Sequence, residues 1–121
     1  MAMSGFTEKL IDNTGFVNPK LVAAAFHTTQ KEVAQLSGLS IDAVSKQQRA
    51  RSKASQKRLL DLVLIINRVI PWTGSLFQAY AWYRSEPLPG FGDLTAETLV
   101  KQGHSEQVMA YLDRIAEGGF A

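Results

Sequence analysis

Between residues 59 and 70 the apolar side chains Leu59, Leu62, Val63, Ile66, Val69 and Ile70 recur at steps of three and four. Such steps place them on one face of a helix. Each contributes about 1.5–3 kcal/mol when fully buried, so this helix is expected to be the spine of a core that other helices cover. No segment alternates apolar and polar residues as a half-buried strand does. The expected fold class is all-α.

Capping residues and breakers divide the rest of the chain. Residues 1–18 mix Gly, Ser, Asn and isolated apolar side chains and read as an arm or loop. Pro19 suits the first position of a helix that carries the apolar run 21–26. Thr29 and Glu32 have the spacing of a capping box, and the helix they open ends at Gly38. Ser40 caps a third helix over about 41–50. Pro71 limits the long helix. An aromatic helix over about 74–83 carries Leu76, Phe77, Tyr80 and Trp82, and the Pro/Gly content of 87–94 marks a loop. Thr95 caps a short helix that stops before Gly103. Ser105 caps the last helix, where Val108, Leu112 and Ile115 form the buried stripe, Met109 and Tyr111 flank it, and Gly118 and Gly119 end it.

Charge is sorted along the chain. Residues 46–58 hold six basic side chains (Lys46, Arg49, Arg51, Lys53, Lys57, Arg58) and no acid. From Glu86 onward there are six acids against Lys101 and Arg114. The net charge of +2 conceals sums of −1 over 1–45, +7 over 46–85 and −4 over 86–121. A cationic helical middle suits a polyanion, and an anionic, partly apolar end suits a basic protein surface. The 121 residues correspond to one domain or two very small ones. With 45% apolar residues the chain can build a core. It has no cysteine, which excludes disulfides and thiolate chemistry. A basic start followed by an apolar run is missing, so no signal peptide is expected. The apolar stretch 59–70 is interrupted by Asp61, Asn67 and Arg68 and is too short for a membrane span. A cytoplasmic location is the expectation.

The segment QKEVAQLSGLSIDAVSKQQR, residues 30–49, has the pattern of a helix-turn-helix. Ala34 is small enough for a second helix to cross closely, Gly38 can take a positive φ in the turn, and Val33, Leu39 and Val44 supply a small core. On a second helix over 41–50, Asp42, Ser45, Lys46 and Arg49 form one polar stripe. That stripe can enter a major groove, with Ser40 and Ser45 near base edges or phosphates and Lys46 and Arg49 reaching further. Arg51 and Lys53 extend the cationic surface along phosphates. The other reading is a helical hairpin with a solvated basic face. One position departs from the motif: Gln47 stands where a branched aliphatic residue is usually buried.

After the helix-turn-helix pattern comes WTGSLFQAYAWYRSEPLPGFGDLTAETLVKQGHSEQVMAYLDRIAEGGF, residues 72–120. An aromatic helix, a Pro/Gly turn, a Thr-capped helix with Leu99 and Val100, a glycine, and a helix with Val108, Leu112 and Ile115 ending in Glu117-Gly118 follow in order. This order resembles the toxin-binding domain of the Xre/MbcA/ParS antitoxins, and the ending AEGGF is similar to the MbcA type. The resemblance covers about residues 19–121. It implies a helix-turn-helix region over 19–71 and a small helical toxin-binding domain over 72–121. It also implies a type II antitoxin whose partner is a RES-domain, NAD-depleting toxin and whose complex can repress its own promoter. Carried onto this chain, Glu117, Gly118, Gly119, Phe120 and Ala121 become the segment that blocks the toxin's cleft. Taken by itself the tip reads first as a frayed end with Phe120 folded back, and it is the family pattern that brings forward the blocking role. Ala96 departs from the proline that often begins the family's short helix, and only two residues follow Gly119. If the tip is too short, contact falls to the surface around Trp82, Tyr83 and Leu94.

His27 and His104 have no metal-ligand spacing and read as helix-end residues. No nucleophile elbow, phosphate loop or dinucleotide fingerprint occurs. Neither catalysis, a cofactor nor a metal is expected. The expected partners are the toxin, operator DNA and a second copy of the chain, because one small helix-turn-helix covers too little groove for tight specific binding. The alternative is a transcriptional regulator whose C-terminal half only dimerises.

Overall fold

The computed structural model describes residues 5–119, and among these the protein is all-α. The helices are α1 (Gly5–Leu10), α2 (Pro19–Ala25), α3 (Gln30–Ser37), α4 (Ile41–Ser45), α5 (Gln47–Ala50), α6 (Lys53–Thr73), α7 (Leu76–Ser85), α8 (Ala96–Lys101) and α9 (Ser105–Arg114). One π-helical turn, Ile115–Gly119, extends α9. Among the described residues there is no strand, only an isolated antiparallel bridge between Ile11 and Val17.

The expected stripe of α6 forms the centre. Leu59, Leu62, Val63, Ile66 and Val69 are buried, Ile65 joins them, and Ile70 is half-buried. Buried apolar residues from α1 to α9 make one cluster around it, from Leu10 through Val22, Val33 and Val44 to Tyr83, Val100 and Leu112. Among the described residues no single helix is long and apolar enough to cross a membrane.

Several sequence expectations need correction. The arm contains a helix, α1, because Leu10 enters the core and draws its turn of chain with it. Pro71 does not stop α6, which runs on to Thr73. A proline in a last turn removes only one backbone donor. The helix is closed by Gly74 at φ 104°, whose N–H donates to the Ile70 carbonyl at 2.8 Å. The chain then bends by 113° into α7. The aromatic helix accordingly starts at Leu76, with Ser75 as its cap. Ser105 is the first residue of α9 rather than its cap: its buried hydroxyl donates to Asp61 Oδ2 at 2.7 Å, which ties α9 to α6.

Other local caps form, although only the Thr29 half of the expected capping box does, since the Glu32 carboxylate pairs with Arg84 and Tyr80. The Glu32 N–H donates to Thr29 Oγ1 at 3.1 Å and the Thr98 N–H to Thr95 Oγ1 at 3.2 Å. Gly38 closes α3 in the left-handed region at φ 72°. An added Cβ there would lie 2.9 Å from Arg58 Nη1 and 3.0 Å from Lys101 Cα, so the turn needs glycine for space as well as for φ.

Candidate nucleic-acid interface and C-terminal segment

The cationic face is built on α4, α5 and the first turn of α6. Ser40 caps α4 by accepting from the Ala43 N–H at 3.2 Å, and Val44 anchors α4 in the core. The helix expected over 41–50 is not continuous. Lys46 is extended, with φ −95° and ψ 117°, and separates α4 from α5. The reason lies in burial: Val44 and Ala50 are both buried. Six residues apart, they would point about 120° away from each other on an unbroken helix. The break lets both face inward. Asp42, Ser45, Lys46 and Arg49 therefore do not lie on one regular helical stripe, although all four are exposed.

The basic run serves two purposes. Ser40, Lys46, Arg49 and Lys53 are exposed, and among the described residues none of the three cations in this group is in an ion pair. Arg51, expected on the same face, is held by the arm. Its Nη2 donates to Thr14 Oγ1 at 3.2 Å and lies 3.8 Å from Asp12 Oδ2, with the guanidinium 5.1 Å from the centre of the Phe16 ring. Lys57 pairs with Asp61 at 2.8 Å. Arg58 donates to the Val100 carbonyl and braces α6 against the end of α8. Half of the run is thus spent inside the molecule.

Gln56 is a residue that sequence reasoning missed. Its Oε1 accepts from the Val17 N–H at 2.9 Å, and its Nε2 donates to the carbonyls of Val17 at 2.9 Å and Ala50 at 2.8 Å. One amide thereby pins the arm, α5 and α6 together. No local pattern announces a contact across 39 residues. Asp12 organises the other side of the arm. Its carboxyl sits below the ordinary range chiefly because the Thr14 hydroxyl donates to it, partly offset by desolvation, with the Thr14 and Phe16 N–H groups and Arg51 adding to the effect.

The C-terminal segment departs from expectation at Tyr83. This residue is fully buried and its hydroxyl donates to the Leu36 carbonyl at 2.6 Å, so it offers no surface to a partner. Burial pushes its phenol far above the usual tyrosine range, and Glu97 and Asp61 add to this. Trp82 is half-buried against the core, and Leu94 is exposed. Glu117 and Gly118 are exposed, and Gly118 takes φ 111° within the turn Ile115–Gly119. Phe120 and Ala121, the tip of the expected blocking segment, lie outside the described residues.

A second unforeseen feature links α3, α7 and α8. Arg84 bonds both to Glu32 and, through Nε at 3.2 Å, to Glu97. Glu97 is buried and also meets Lys101 at 2.9 Å. Burial by itself lowers the Arg84 guanidinium; the carboxylates of Glu97 and Glu32 outweigh that and raise it. Tyr80 donates to Glu32 at 3.0 Å and is raised by burial first and by that carboxylate second. Glu32 therefore spends its carboxylate on α7.

His27 is exposed at φ 55° beside the Phe77 ring, 5.4 Å between centres, and His104 is exposed. Among the described residues no three His, Cys, Asp or Glu side chains are grouped as a metal would need. No protein-family model matches this chain, and no similar curated protein or solved structure is found.

Proposed function

We propose that this chain is a type II antitoxin: a protein that binds and occludes a co-encoded RES-type, NAD-depleting toxin and represses its own operon through a helix-turn-helix formed by α3 and α4. The observation that carries this reading is the separation of free charge. Lys46, Arg49 and Lys53 present exposed cations around the α4–α6 junction, in no ion pair among the described residues. The acid-rich stretch from Glu86 onward runs to an exposed Glu117 and a left-handed Gly118. Two partners of opposite charge fit such a molecule better than one. The order of elements after Trp72, which resembles the Xre/MbcA/ParS antitoxins, supports the same reading.

The DNA contact in this proposal is chiefly electrostatic. A five-residue α4 spans only about 7.5 Å. Lys46, Arg49 and Lys53 therefore grip phosphates, with Ser40, Asp42 and Ser45 closest to base edges. A dimer supplies the second half-site. On the toxin side, the segment Glu117, Gly118, Gly119, Phe120 and Ala121 blocks the enzyme's cleft. Leu94 and the exposed part of Trp82 form the adjoining surface.

A second reading, a transcriptional regulator without a toxin partner, draws support from the bonds that join α7 to α3: Tyr83 to Leu36 and Arg84 to Glu32. They make the C-terminal half a brace for the DNA-facing half. Truncation after Ile115 separates the two readings. It is expected to abolish toxin neutralisation and to spare DNA binding; DNA binding by a full-length chain that neutralises no toxin would leave the regulator reading.

A further inference from the structure

A cavity of about 190 Å³ lies between the loop after α1 and the broken α4–α5 segment. Its apolar side is formed by Val17, Pro19, Val44 and Ala50, all buried. Phe16 makes a flat wall, with the Arg51 guanidinium above its ring. The remainder of the lining is polar. Lys20 and Arg51 bring two positive charges, the Arg51 guanidinium already donating to Thr14 through Nη2 and lying 3.8 Å from Asp12, and Asp12 brings one negative charge. The Asp12 carboxylate is already committed to the backbone N–H groups of Thr14 and Phe16 and to the Thr14 hydroxyl. Lys20 is exposed and, among the described residues, in no ion pair.

The sequence explains why space is left there. Position 47 is where a helix-turn-helix buries an aliphatic side chain, and this chain has Gln47. It is exposed and stands at the edge of the cavity. The break at Lys46 and the small side chain of Ala50 leave nothing else to fill the gap. Protein interiors are otherwise close-packed, so a gap with an apolar wall and a cationic rim is suited to a body from outside.

We propose that this cavity binds a small aromatic carboxylate, its ring against Val17, Val44 and Ala50 and its carboxylate toward Arg51 and Lys20. The volume equals about six waters at roughly 30 Å³ each, which matches one aromatic ring with one carboxylate. Carboxylate and guanidinium pair with good geometry, and a net positive lining selects an anion over a neutral or cationic ring. An occupied cavity also braces the α4–α5 junction that carries Lys46 and Arg49. That coupling to a polyanion rests on the DNA reading above; the site itself does not.

The test is a titration of the full chain followed by amide chemical shifts, with sodium benzoate, benzyl alcohol and benzylamine as probes. Benzoate is expected to give saturable shifts confined to residues 12–20 and 44–51. Benzyl alcohol and benzylamine are expected to bind at least about tenfold more weakly. Gln47→Leu supplies the missing aliphatic group from an exposed position; it should abolish benzoate binding without lowering the thermal midpoint. Arg51→Met should weaken benzoate by about tenfold and leave benzyl alcohol unchanged. Absence of saturable benzoate shifts overturns the proposal. So does equal binding of the three probes, or unaltered benzoate binding in both variants. A chain that binds benzoate but neither DNA nor toxin keeps the site and overturns the function proposed above.

Discussion

Tyr83 and Leu36 are joined by a 2.6 Å hydrogen bond, from the phenol of α7 to the last-turn carbonyl of α3, in the interior of the protein. The bond fixes the aromatic helix to the end of the helix that opens the turn at Gly38. Tyr83→Phe keeps the ring and removes the donor. It should lower stability to urea unfolding by about 1–2 kcal/mol. The pH dependence has a definite sign. Burial raises the Tyr83 phenol above its unfolded value of about 10, so its contribution is complete below that pH and is lost as pH rises above it. Tyr80 shifts the same way to a lesser extent. The fall in stability above about pH 10 should be shallower in Tyr83→Phe than in the parent protein, though not absent.

Gly38 and Gly90 both have positive φ, at 72° and 87°, but only Gly38 faces close neighbours. Alanine in the left-handed region costs about 1–2 kcal/mol. Gly90→Ala should cost about that much. Gly38→Ala should cost more, because Arg58 and the Lys101 backbone must also shift. A comparison of the two thermal midpoints checks this, and equal losses would mean that the packing at Gly38 is slack.

Gln56 makes three hydrogen bonds to backbone groups of Val17 and Ala50. Gln56→Ala should destabilise the protein by about 2 kcal/mol and speed hydrogen exchange at the Val17 amide more than in the centre of α6. Gln56→Glu retains the acceptor toward the Val17 N–H but turns a carboxylate oxygen toward the carbonyls of Val17 and Ala50, so at neutral pH it should be at least as destabilising as Gln56→Ala.

These long-range bonds mark what a local pattern can and cannot reveal. The stripe of α6 was legible because a three- and four-residue period determines a face without reference to the rest of the chain. The caps at Thr29, Ser40 and Thr95 were legible because each acts within three residues. The break at Lys46 was not, since no glycine or proline marks it and its cause is the joint burial of Val44 and Ala50. The double use of the basic run was hidden for the same reason. Arg51 answers to Asp12 and Thr14, and Arg58 to Val100, all far away in sequence. Tyr83 reads as an exposed aromatic until its carbonyl partner at Leu36 is seen.

The DNA-facing proposal separates Lys46 and Arg49 from Arg51. Lys46→Ala with Arg49→Ala should weaken binding to duplex DNA and reduce the log–log salt slope by about 0.9 for each phosphate that is no longer neutralised. Arg51→Ala should have a smaller effect on the slope and a larger one on stability, because its guanidinium is tied to Thr14, Asp12 and Phe16. An identical slope in the double variant and the parent would show that α4 and α5 do not touch phosphate.

Cellular NAD reports most directly on whether the C-terminal segment occludes a co-encoded toxin. In cells expressing a RES-type toxin of the kind proposed as the partner, the full-length protein should preserve NAD. The chain ending at Ile115 should let NAD fall to the level seen with toxin alone, while still binding duplex DNA as the parent does. Equal protection by both forms, or by neither, would contradict occlusion by this segment.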